Sequence, residues 1–364
     1  MLLSIDSLRP DHLSAHGRAN AVEPGAPSSP GFDAFARGGV RFEQAVSTTS
    51  WTLPAHVALL TGLPDLLHGV TDNFKRLGDG HVTLAELFRD AGYRTAGFFS
   101  GPNLHPAFGF GQGFEAYEDR SRLDVAAARF EGRELGDLRD VHLASHRAVT
   151  SPALLEGASA FLRAAAGEGR PFFLFVHWWD PHYDYLAPEE IARRFVDPAY
   201  RGDVSGAHAV DKTKAVGAED VRHLRELYDA EVRFTDDHVA RLLGVLDELG
   251  LADDTLVVWT ADHGEEFYER GRWGHQRTLY DEVVRIPLAL RWPGVLPAGV
   301  VATGQARLYD VYATLADLCD LPAPPWVEGA SLRPLWEDPA HPGFAAPLAL
   351  EVPKPTNPVR EVGL

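Results

Sequence analysis

Residues that could bind a metal or carry out acid–base chemistry follow several short apolar runs of this sequence. Asp262 and His263 come directly after the run TLVVWTA, and Asp6 comes directly after LLSI. An adjacent carboxylate and imidazole offer oxygen and nitrogen ligands that suit Mn, Zn, Mg or Ca, depending on the remaining ligands. Asp6 on its own is more readily explained as a helix N-cap or a turn residue. Asp262 and His263 are therefore candidate metal ligands, with a structural role as the alternative.

Two further segments place polar side chains beside apolar runs. In the first, His177, Asp180 and His182 follow FFLFV, and Pro181 stiffens the turn. We expect one of these titratable groups to be structural, satisfied by backbone hydrogen bonds. In the second, Thr52 lies in a hydroxyl-rich turn before the run VALLTG, where a lone hydroxyl usually caps a helix.

Short apolar runs alternate with longer amphipathic stretches along the chain, which is typical of parallel strands joined by crossover helices. We predict buried strands over 2–5, 94–99, 171–178, 255–260 and 286–291. We predict helices over 83–91, 155–166 and 219–249, the last with a bend or break near 235–237. Ligands bind beyond the carboxyl ends of strands in such a sheet, so the polar residues above should meet there. Residues 101–150 and 184–217 are predicted to be loops over that edge that shape the substrate entrance.

The composition restricts the partners of the protein. The 364 residues include 34 basic and 52 acidic side chains, a net charge of −18, which argues against binding a nucleic-acid duplex or an anionic membrane. A small anionic substrate is still allowed. The single cysteine, Cys319, excludes an intrachain disulfide and favours the cytoplasm, while a removed leader would allow the periplasm or secretion. There is no apolar run long enough to span a membrane, and the oligomeric state is not indicated.

Residues 52–62, TLPAHVALLTG, have the layout of the signature of the alkaline phosphatase and sulfatase superfamily, C/S-x-P-x-R followed by L-x-T-G. Segments from IDSLRPDH to DVYATLADLCDLP, over roughly 2–335, resemble family segments in family order. The resemblance implies an α/β, alkaline-phosphatase-like fold with a large, mainly parallel sheet sandwiched between helices. It also implies a catalytic domain over 1–320, followed over 321–364 by an irregular Pro-rich tail where the family's C-terminal subdomain is absent or truncated.

The signature departs from that of sulfatases at two positions. Thr52 stands at the nucleophile position, and His56 stands where sulfatases usually carry arginine. Family sulfatases oxidise the motif Cys or Ser to formylglycine, and threonine cannot give that aldehyde. A threonine alkoxide can attack phosphorus instead, as in the nucleotide pyrophosphatase and phosphodiesterase branch that this feature resembles. The expected intermediate is a phospho-threonine, which a metal-activated water hydrolyses.

The resemblance also implies roles for individual residues. It implies that the metal is held by Asp6, Thr52, Asp262 and His263. Ser7 stands where many sulfatases have a second aspartate, and this shortage of oxygen ligands favours Zn or Mn over Ca or Mg.

Two more residues match positions near the transferred group. His182 corresponds to the family histidine near the leaving group, and an imidazole suits proton donation to a departing alkoxide. Asn73 corresponds to an amide donor in an oxyanion-type role. The alternative for His182 is a loop histidine that forms hydrogen bonds with nearby residues, and the alternative for Asn73 is an Asx turn.

A second metal could be held by Asp180, His182 and His275. The two-residue spacing of Asp180 and His182 is shorter than in two-metal relatives, so one site is favoured. His56 and His275 are otherwise candidates for substrate binding.

The sequence thus predicts a metal-dependent hydrolase of phosphate esters, phosphodiesters or phosphonate monoesters, acting on a small anionic ester through Thr52. The alternatives are a sulfatase that acts without formylglycine and a catalytically degenerate protein that binds metal or anion.

Overall fold

A large twisted sheet positions the polar residues identified above. The computed structural model describes residues 1–121, 149–206, 216–338, 341–344, 350–351 and 362–363. In these ranges the main sheet is formed by β1 (Leu2–Ile5), β2 (Val40–Val46), β3 (Arg94–Phe99), β4 (Ala116–Asp119), β5 (Phe172–Trp178), β6 (Val257–Ala261), β9 (Arg285–Arg291) and β10 (Val300–Arg307). Two short antiparallel pairs lie outside it, β7 (Glu266–Phe267) with β8 (Trp273–Gly274) and β11 (Leu350–Glu351) with β12 (Val362–Gly363).

Helices flank this sheet. The described residues form α1 (Pro30–Arg37), α2 (Thr52–Thr61), α3 (Asp65–His68), α4 (Leu84–Asp90), α5 (Ser151–Ala166), α6 (Glu189–Ala192), α7 (Ala218–Glu248), α8 (Asp281–Val284), α9 (Asp310–Leu318) and α10 (Arg333–Glu337). No helix among them is long and apolar enough to cross a membrane.

The spatial order of the main sheet is β10-β2-β9-β6-β1-β5-β3-β4. Only β9 runs antiparallel to its neighbours, β2 and β6, and the other neighbouring pairs of this sheet are parallel. The central strands are apolar on both faces because helices cover both, and all four residues of β1 are buried. The prediction of an α/β fold with a large, mainly parallel sheet is confirmed.

The predicted break near 235–237 does not occur, because α7 is continuous from Ala218 to Glu248. One polar residue there, Asp236, instead caps another helix. Asp236 accepts hydrogen bonds of 2.7 Å from the backbone N–H groups of both Gly31 and Phe32, so it caps the first turn of α1. Burial raises the pKa of Asp236 to about 7.

Three strands of the main sheet were not predicted, namely β2, β4 and β10. In β2, buried and exposed positions are mixed, and β10 contains a glycine and several polar residues near the edge of the sheet. The predicted loops over 101–150 and 184–217 lie partly outside the described residues, which omit 122–148 and 207–215.

The described part of the C-terminal tail packs against the edge of the sheet. Leu332, Leu335 and Trp336 are buried, and the Trp336 ring meets Phe42 of β2 edge-on with centroids 6.4 Å apart. The tail that we predicted to be irregular therefore contains α10. The domain boundary at residue 320 stays a prediction.

Candidate active site and metal centre

Three elements bring the predicted metal ligands together. Strands β1 and β6 are parallel neighbours with Ile5 paired to Ala261, so Asp6 and Asp262 leave the sheet side by side. His263 follows on the same loop, and Thr52 is the first residue of α2. Asp6, Asp262 and His263 each offer one ligand atom, and these three atoms lie within 4.8 Å of one another. All four side chains are fully buried.

Each carboxylate has one oxygen held by protein donors and one turned to the site. Oδ1 of Asp6 accepts from the Ser7 hydroxyl at 2.7 Å. Oδ1 of Asp262 accepts from the backbone N–H groups of Ser7 and His263 at 3.1 and 2.8 Å. Oδ2 of Asp262 has no hydrogen-bond partner within the described part of the chain. Ser7, which stands where many sulfatases have a second acid, therefore orients both carboxylates.

The Thr52 hydroxyl lies between a carboxylate and an imidazole. Its Oγ1 is 3.3 Å from Oδ2 of Asp6 and 3.2 Å from Nε2 of His263. The Gly264 carbonyl, 2.9 Å from Nδ1 of His263, can only accept, so Nδ1 carries the proton and Nε2 presents its lone pair. Gly264 must be glycine, because a Cβ there would lie 2.2 Å from the carbonyl oxygen of Glu282. The N-terminus of α2 additionally favours negative charge on Oγ1.

These donors fit a divalent cation. Burial raises the pKa of Asp6 to about 6, and burial together with repulsion from Asp6 raises the pKa of Asp262. Two neighbouring buried carboxylates are unfavourable in their ionised form unless a positive charge neutralises them. The unpaired Oδ2 of Asp262 and the lone pair on Nε2 of His263 are the atoms that such an ion would satisfy.

His56 is held by protein oxygens at both ring nitrogens. Nδ1 lies 2.8 Å from the Thr52 carbonyl, to which it donates, and Nε2 lies 2.9 Å from the hydroxyl of Ser4. Burial lowers the pKa of His56 to about 3, so the ring is neutral at pH 7. His56 therefore supports the first turn of α2, and it does not supply the positive charge of the arginine that sulfatases carry there. Its predicted contact with the substrate stays a prediction.

The three residues predicted for a second metal do not form one metal-binding group, because His182 and His275 are neighbours whereas Asp180 caps a helix. Asp180 lies at the N-terminus of α5, where its Oδ2 accepts from the backbone N–H groups of Thr150 and Ser151 at 3.1 and 2.8 Å and from the Ser151 hydroxyl at 2.6 Å. It therefore caps that helix, and it shares no metal-binding group with His182 and His275. The sequence pattern missed this because the helix that Asp180 caps begins about 30 residues earlier in the chain.

His182 and His275 lie in an aromatic and acidic wall beside the site. The His182 ring stacks on Trp179 with centroids 3.8 Å apart and meets His275 at 5.0 Å. Nδ1 of His275 is 3.0 Å from Oε1 of Glu265, a buried acid whose pKa is raised by burial. The His275 ring also lies 4.4 Å from that of His263. Glu265 follows the pair Asp262 and His263 in the chain and was not assigned a role from the sequence. Its place beside His275 follows from the hairpin formed by β7 and β8.

Asn73 lies in the connection between α3 and α4. Its Oδ1 is buried and has no hydrogen-bond partner among the described residues. The hydrogen bonds around Thr52 do not include it, so its role toward the transferred group stays a prediction.

His177 is a site residue that we had not assigned. It lies in β5, paired with Ser4 of β1, on the face of the sheet that also carries Asp6. Its Nε2 is 3.3 Å from Oδ2 of Asp6, and burial lowers its pKa to about 4. Alternation along β5 gives the face of His177 only once the pairing of β5 with β1 is known, so the sequence alone did not place it beside Asp6.

A model of the Sulfatase family matches residues 1–321. The chain belongs to the sulfatase family. Members of this family use a divalent metal, which agrees with the donor set around Thr52. The prediction of the alkaline phosphatase and sulfatase superfamily is therefore confirmed.

Relatives of this sulfatase-family chain are named for different activities. It is 24% identical to an ulvan-active sulfatase of Formosa agariphila over 85% of its length, and 27% identical to a choline-sulfatase of Rhizobium meliloti over 84%. It spans 60% and 66% of those two relatives. It is also 25% identical, over 92% of its length and 76% of the relative, to a multifunctional alkaline phosphatase superfamily protein of Trinickia caryophylli.

A solved structure shows the same fold. The phosphonate monoester hydrolase of Agrobacterium radiobacter superimposes with a TM-score of 0.75 at 24% identity, covering 96% of this chain and 79% of that one.

Replacing Asp180 with alanine tests its role in this sulfatase-family fold. We expect the free energy of unfolding to fall by about 1 to 3 kcal/mol, because a buried cap and its hydrogen bonds are lost. Asp180→Asn keeps one acceptor oxygen and should lose less. The number of zinc ions bound per chain should equal that of the unsubstituted protein. A lower zinc content with unchanged unfolding would show that Asp180 is a ligand.

Proposed function

We propose that this chain is a metal-dependent hydrolase of phosphate esters, phosphodiesters or phosphonate monoesters that works through Thr52. The observation that carries the proposal is the placement of the Thr52 hydroxyl, 3.3 Å from Oδ2 of Asp6 and 3.2 Å from Nε2 of His263, at a helix N-terminus. Threonine has a methyl group on its β-carbon, so its oxidation gives a ketone rather than formylglycine. Attack by the hydroxyl oxygen itself is the chemistry left to this residue.

In the first step Thr52 becomes covalently attached to the substrate. Oδ2 of Asp6 is the carboxylate oxygen within reach of the hydroxyl proton, and the N-terminus of α2 stabilises the alkoxide. Oγ1 forms a bond to phosphorus, and the bond from phosphorus to the departing alcohol oxygen breaks. A divalent ion held by Asp6, Asp262 and His263 would neutralise the phosphoryl oxygens and lower the pKa of the hydroxyl.

The proposed proton donor to the departing oxygen is His182. Its Nδ1 lies 2.6 Å from the Tyr183 carbonyl, to which it donates, so Nε2 is the ring atom that exchanges a proton. Stacking on Trp179 fixes the plane of the ring. In the second step water attacks phosphorus and the bond from phosphorus to Oγ1 breaks. Nε2 takes the water proton, and the Thr52 oxygen regains the proton that Oδ2 of Asp6 took in the first step. His182 is thus neutral after the first step, ready to accept a proton, and is protonated again after the second.

The donor set favours zinc or manganese in this proposal. It combines imidazole nitrogen with carboxylate and hydroxyl oxygens, whereas calcium takes six to eight oxygen ligands. Ser7 orients both carboxylates through its hydroxyl and N–H, and so adds no carboxylate of its own.

Hydrolysis of sulfate esters is the second candidate. It is favoured by the relatives named sulfatases, which include the ulvan-active enzyme and the choline-sulfatase. Thr52 would then have to attack sulfur directly. The expected partner in both cases is a small anionic ester, and the cytoplasmic location stays a prediction.

A matched substrate panel tests the proposal. The protein is stripped with a chelator, Zn, Mn, Mg or Ca is added back, and turnover of p-nitrophenyl phosphate, the bis-phosphodiester, a phosphonate monoester and the sulfate is measured. We expect Zn or Mn to restore cleavage of at least one phosphorus ester. Faster turnover of the sulfate would favour the second candidate. Stoichiometric metal binding without turnover of any substrate would indicate a degenerate binding protein.

A further inference from the structure

The turn that precedes α2 contains buried hydroxyl groups without hydrogen-bond partners. Ser47, Thr48 and Ser50 are each 0% exposed, and their hydroxyls have no partner among the residues that the structure describes. A buried polar group of this kind costs folding free energy unless a bound ligand or an ordered water satisfies it. The turn therefore keeps hydrogen-bond donors available beside Thr52.

None of these three hydroxyls caps α2, although serine and threonine before a helix usually do so. Trp51 occupies the N-cap position, and its side chain makes no capping hydrogen bond. In α4, by contrast, the Thr83 hydroxyl accepts from the backbone N–H of Glu86 at 3.2 Å. The first N–H groups of a helix have no acceptor within the helix and favour a bound anion. The N-terminus of α2 thus suits an anion, and a buried hydroxyl precedes it.

The backbone before Thr52 places the Ser50 side chain on the same side of the chain as that of Thr52. Trp51 is extended, with φ −156° and ψ 138°. Side chains two residues apart on an extended chain share a face and are about 6 to 7 Å apart. A phosphoryl group bonded to Oγ1 of Thr52, with one hydrogen bond of about 2.7 Å, spans a gap of this size.

A second segment fixes the position of Ser50 from the other side. The Ser50 carbonyl accepts a hydrogen bond of 2.9 Å from the backbone N–H of Gln276. The neighbouring residue, His275, has its ring 4.4 Å from that of His263. Ser50 therefore lies between the nucleophile and the loop that carries His275.

We propose that the Ser50 hydroxyl binds the transferred group by donating a hydrogen bond to a non-bridging phosphoryl oxygen. The inference rests on the phosphoryl transfer of the proposed function. No bond forms or breaks at Ser50, because its proton stays on Oγ. The hydroxyl is a fixed donor in a buried site, where it stabilises the negative charge of the phosphoryl oxygens during attack by Thr52. Ser50 is thus a catalytic residue outside the set of metal ligands.

The variant Ser50→Ala in the zinc-loaded protein gives the first test. We expect kcat for the best phosphorus ester to fall by about 100- to 1,000-fold, the cost of removing one donor to a developing oxyanion. Equal kcat in Ser50→Ala and the unsubstituted protein would overturn the inference.

Ser47→Ala is the matched control. Ser47 is as buried as Ser50, and its hydroxyl likewise lacks a partner in the described part of the chain. It directly follows β2, however, where its N–H donates to the Val284 carbonyl at 2.8 Å. Its kcat should equal that of the unsubstituted protein, and a loss as large as that of Ser50→Ala would overturn the assignment to Ser50.

Binding of inorganic phosphate distinguishes failure of this inference from failure of the proposed function. The phosphate affinity of the zinc-loaded protein, measured by isothermal titration calorimetry, should fall about tenfold or more in Ser50→Ala, because a hydrogen bond to a charged group is lost. It should be unchanged in Ser47→Ala. This difference without cleavage of any ester would refute the proposed function and support the contact at Ser50. Unchanged phosphate affinity in Ser50→Ala would overturn the inference even if esters are cleaved.

Stability separates a substrate contact from a structural role. Without phosphate, Ser50→Ala should unfold at the same temperature as the unsubstituted protein or higher, because an unpartnered buried hydroxyl is removed. A lower unfolding temperature with unchanged kcat would overturn the inference. A crystal structure of the zinc-loaded, unsubstituted protein with phosphate needs no variant. Oγ of Ser50 should lie about 2.7 Å from a phosphate oxygen, and a hydroxyl that contacts only protein or water would overturn the inference.

Discussion

The variant Thr52→Ala is expected to lower kcat for phosphorus esters by about three to six orders of magnitude, the range found when a nucleophile is removed. The loss follows from the position of Oγ1 between Asp6 and His263, since no other hydroxyl hydrogen-bonds to that imidazole in the described residues. The measurement is steady-state turnover of the best substrate of the panel at saturating metal. Circular dichroism and thermal unfolding should be close to those of the unsubstituted protein, because one buried hydroxyl and one methyl are removed from a helix end.

Two further variants show whether the hydroxyl or the shape of Thr52 matters. Thr52→Ser keeps a hydroxyl at the same position and should retain measurable turnover, whereas Thr52→Val keeps the shape and should be as inactive as alanine. Rapid acid quenching during turnover should trap a phosphoryl group on the peptide that contains Thr52, detectable by mass spectrometry. Turnover of Thr52→Ala at the rate of the unsubstituted enzyme would refute the covalent mechanism.

The local sequence placed the acids of the site at strand ends, and their metal-binding role stays a prediction. LLSI and TLVVWTA are short apolar runs that predict buried strands. The acids that follow them meet because β1 and β6 are parallel neighbours with Ile5 level with Ala261. Placing Thr52 beside them needed the family resemblance. The turn before α2 contains several hydroxyls, and periodicity alone does not distinguish one of them from the others.

The roles that the sequence did not reveal depend on contacts between distant segments. Asp180 and His177 are three residues apart, yet Asp180 caps α5 and His177 faces Asp6. The alternation of side chains along a strand distinguishes the two roles only once it is known where β5 ends and which strand lies beside it. Asp236 is a similar case, since its partners at Gly31 and Phe32 lie 205 and 204 residues away. A polar residue within a helical pattern therefore signalled a break where the structure has a cap for another helix.

Removing the metal is expected to abolish turnover and to change how stability depends on pH. In the metal-free protein the pKa of Asp6 is raised from 3.8 to about 6 by burial, and that of Asp262 is raised as well. The stabilising contribution of protonated Asp6 is fully present below its unfolded pKa of 3.8 and is lost as pH rises through about 6. A shift of this size corresponds to about 3 kcal/mol from Asp6 alone. The metal-free protein should therefore become less stable between pH 4 and pH 7.

Metal binding has the opposite dependence on pH, because the carboxylates must lose their protons to act as ligands. Zinc affinity should rise by about tenfold between pH 5 and pH 7 from Asp6 alone, if its pKa is near 6. The measurement is the difference in free energy of unfolding between zinc-loaded and chelated protein at pH 5, 6 and 7, which should increase with pH. Asp236, whose pKa is also raised, titrates in both the zinc-loaded and the chelated protein, so its contribution cancels in the difference.

Asp262→Asn is the informative variant, because it removes one of the two repelling charges. It should lower the zinc affinity and also flatten the pH dependence of the stability of the chelated protein. A difference that does not change with pH would mean that these carboxylates are already ionised without the metal, and the electrostatic reason given for a dication at this site would be wrong.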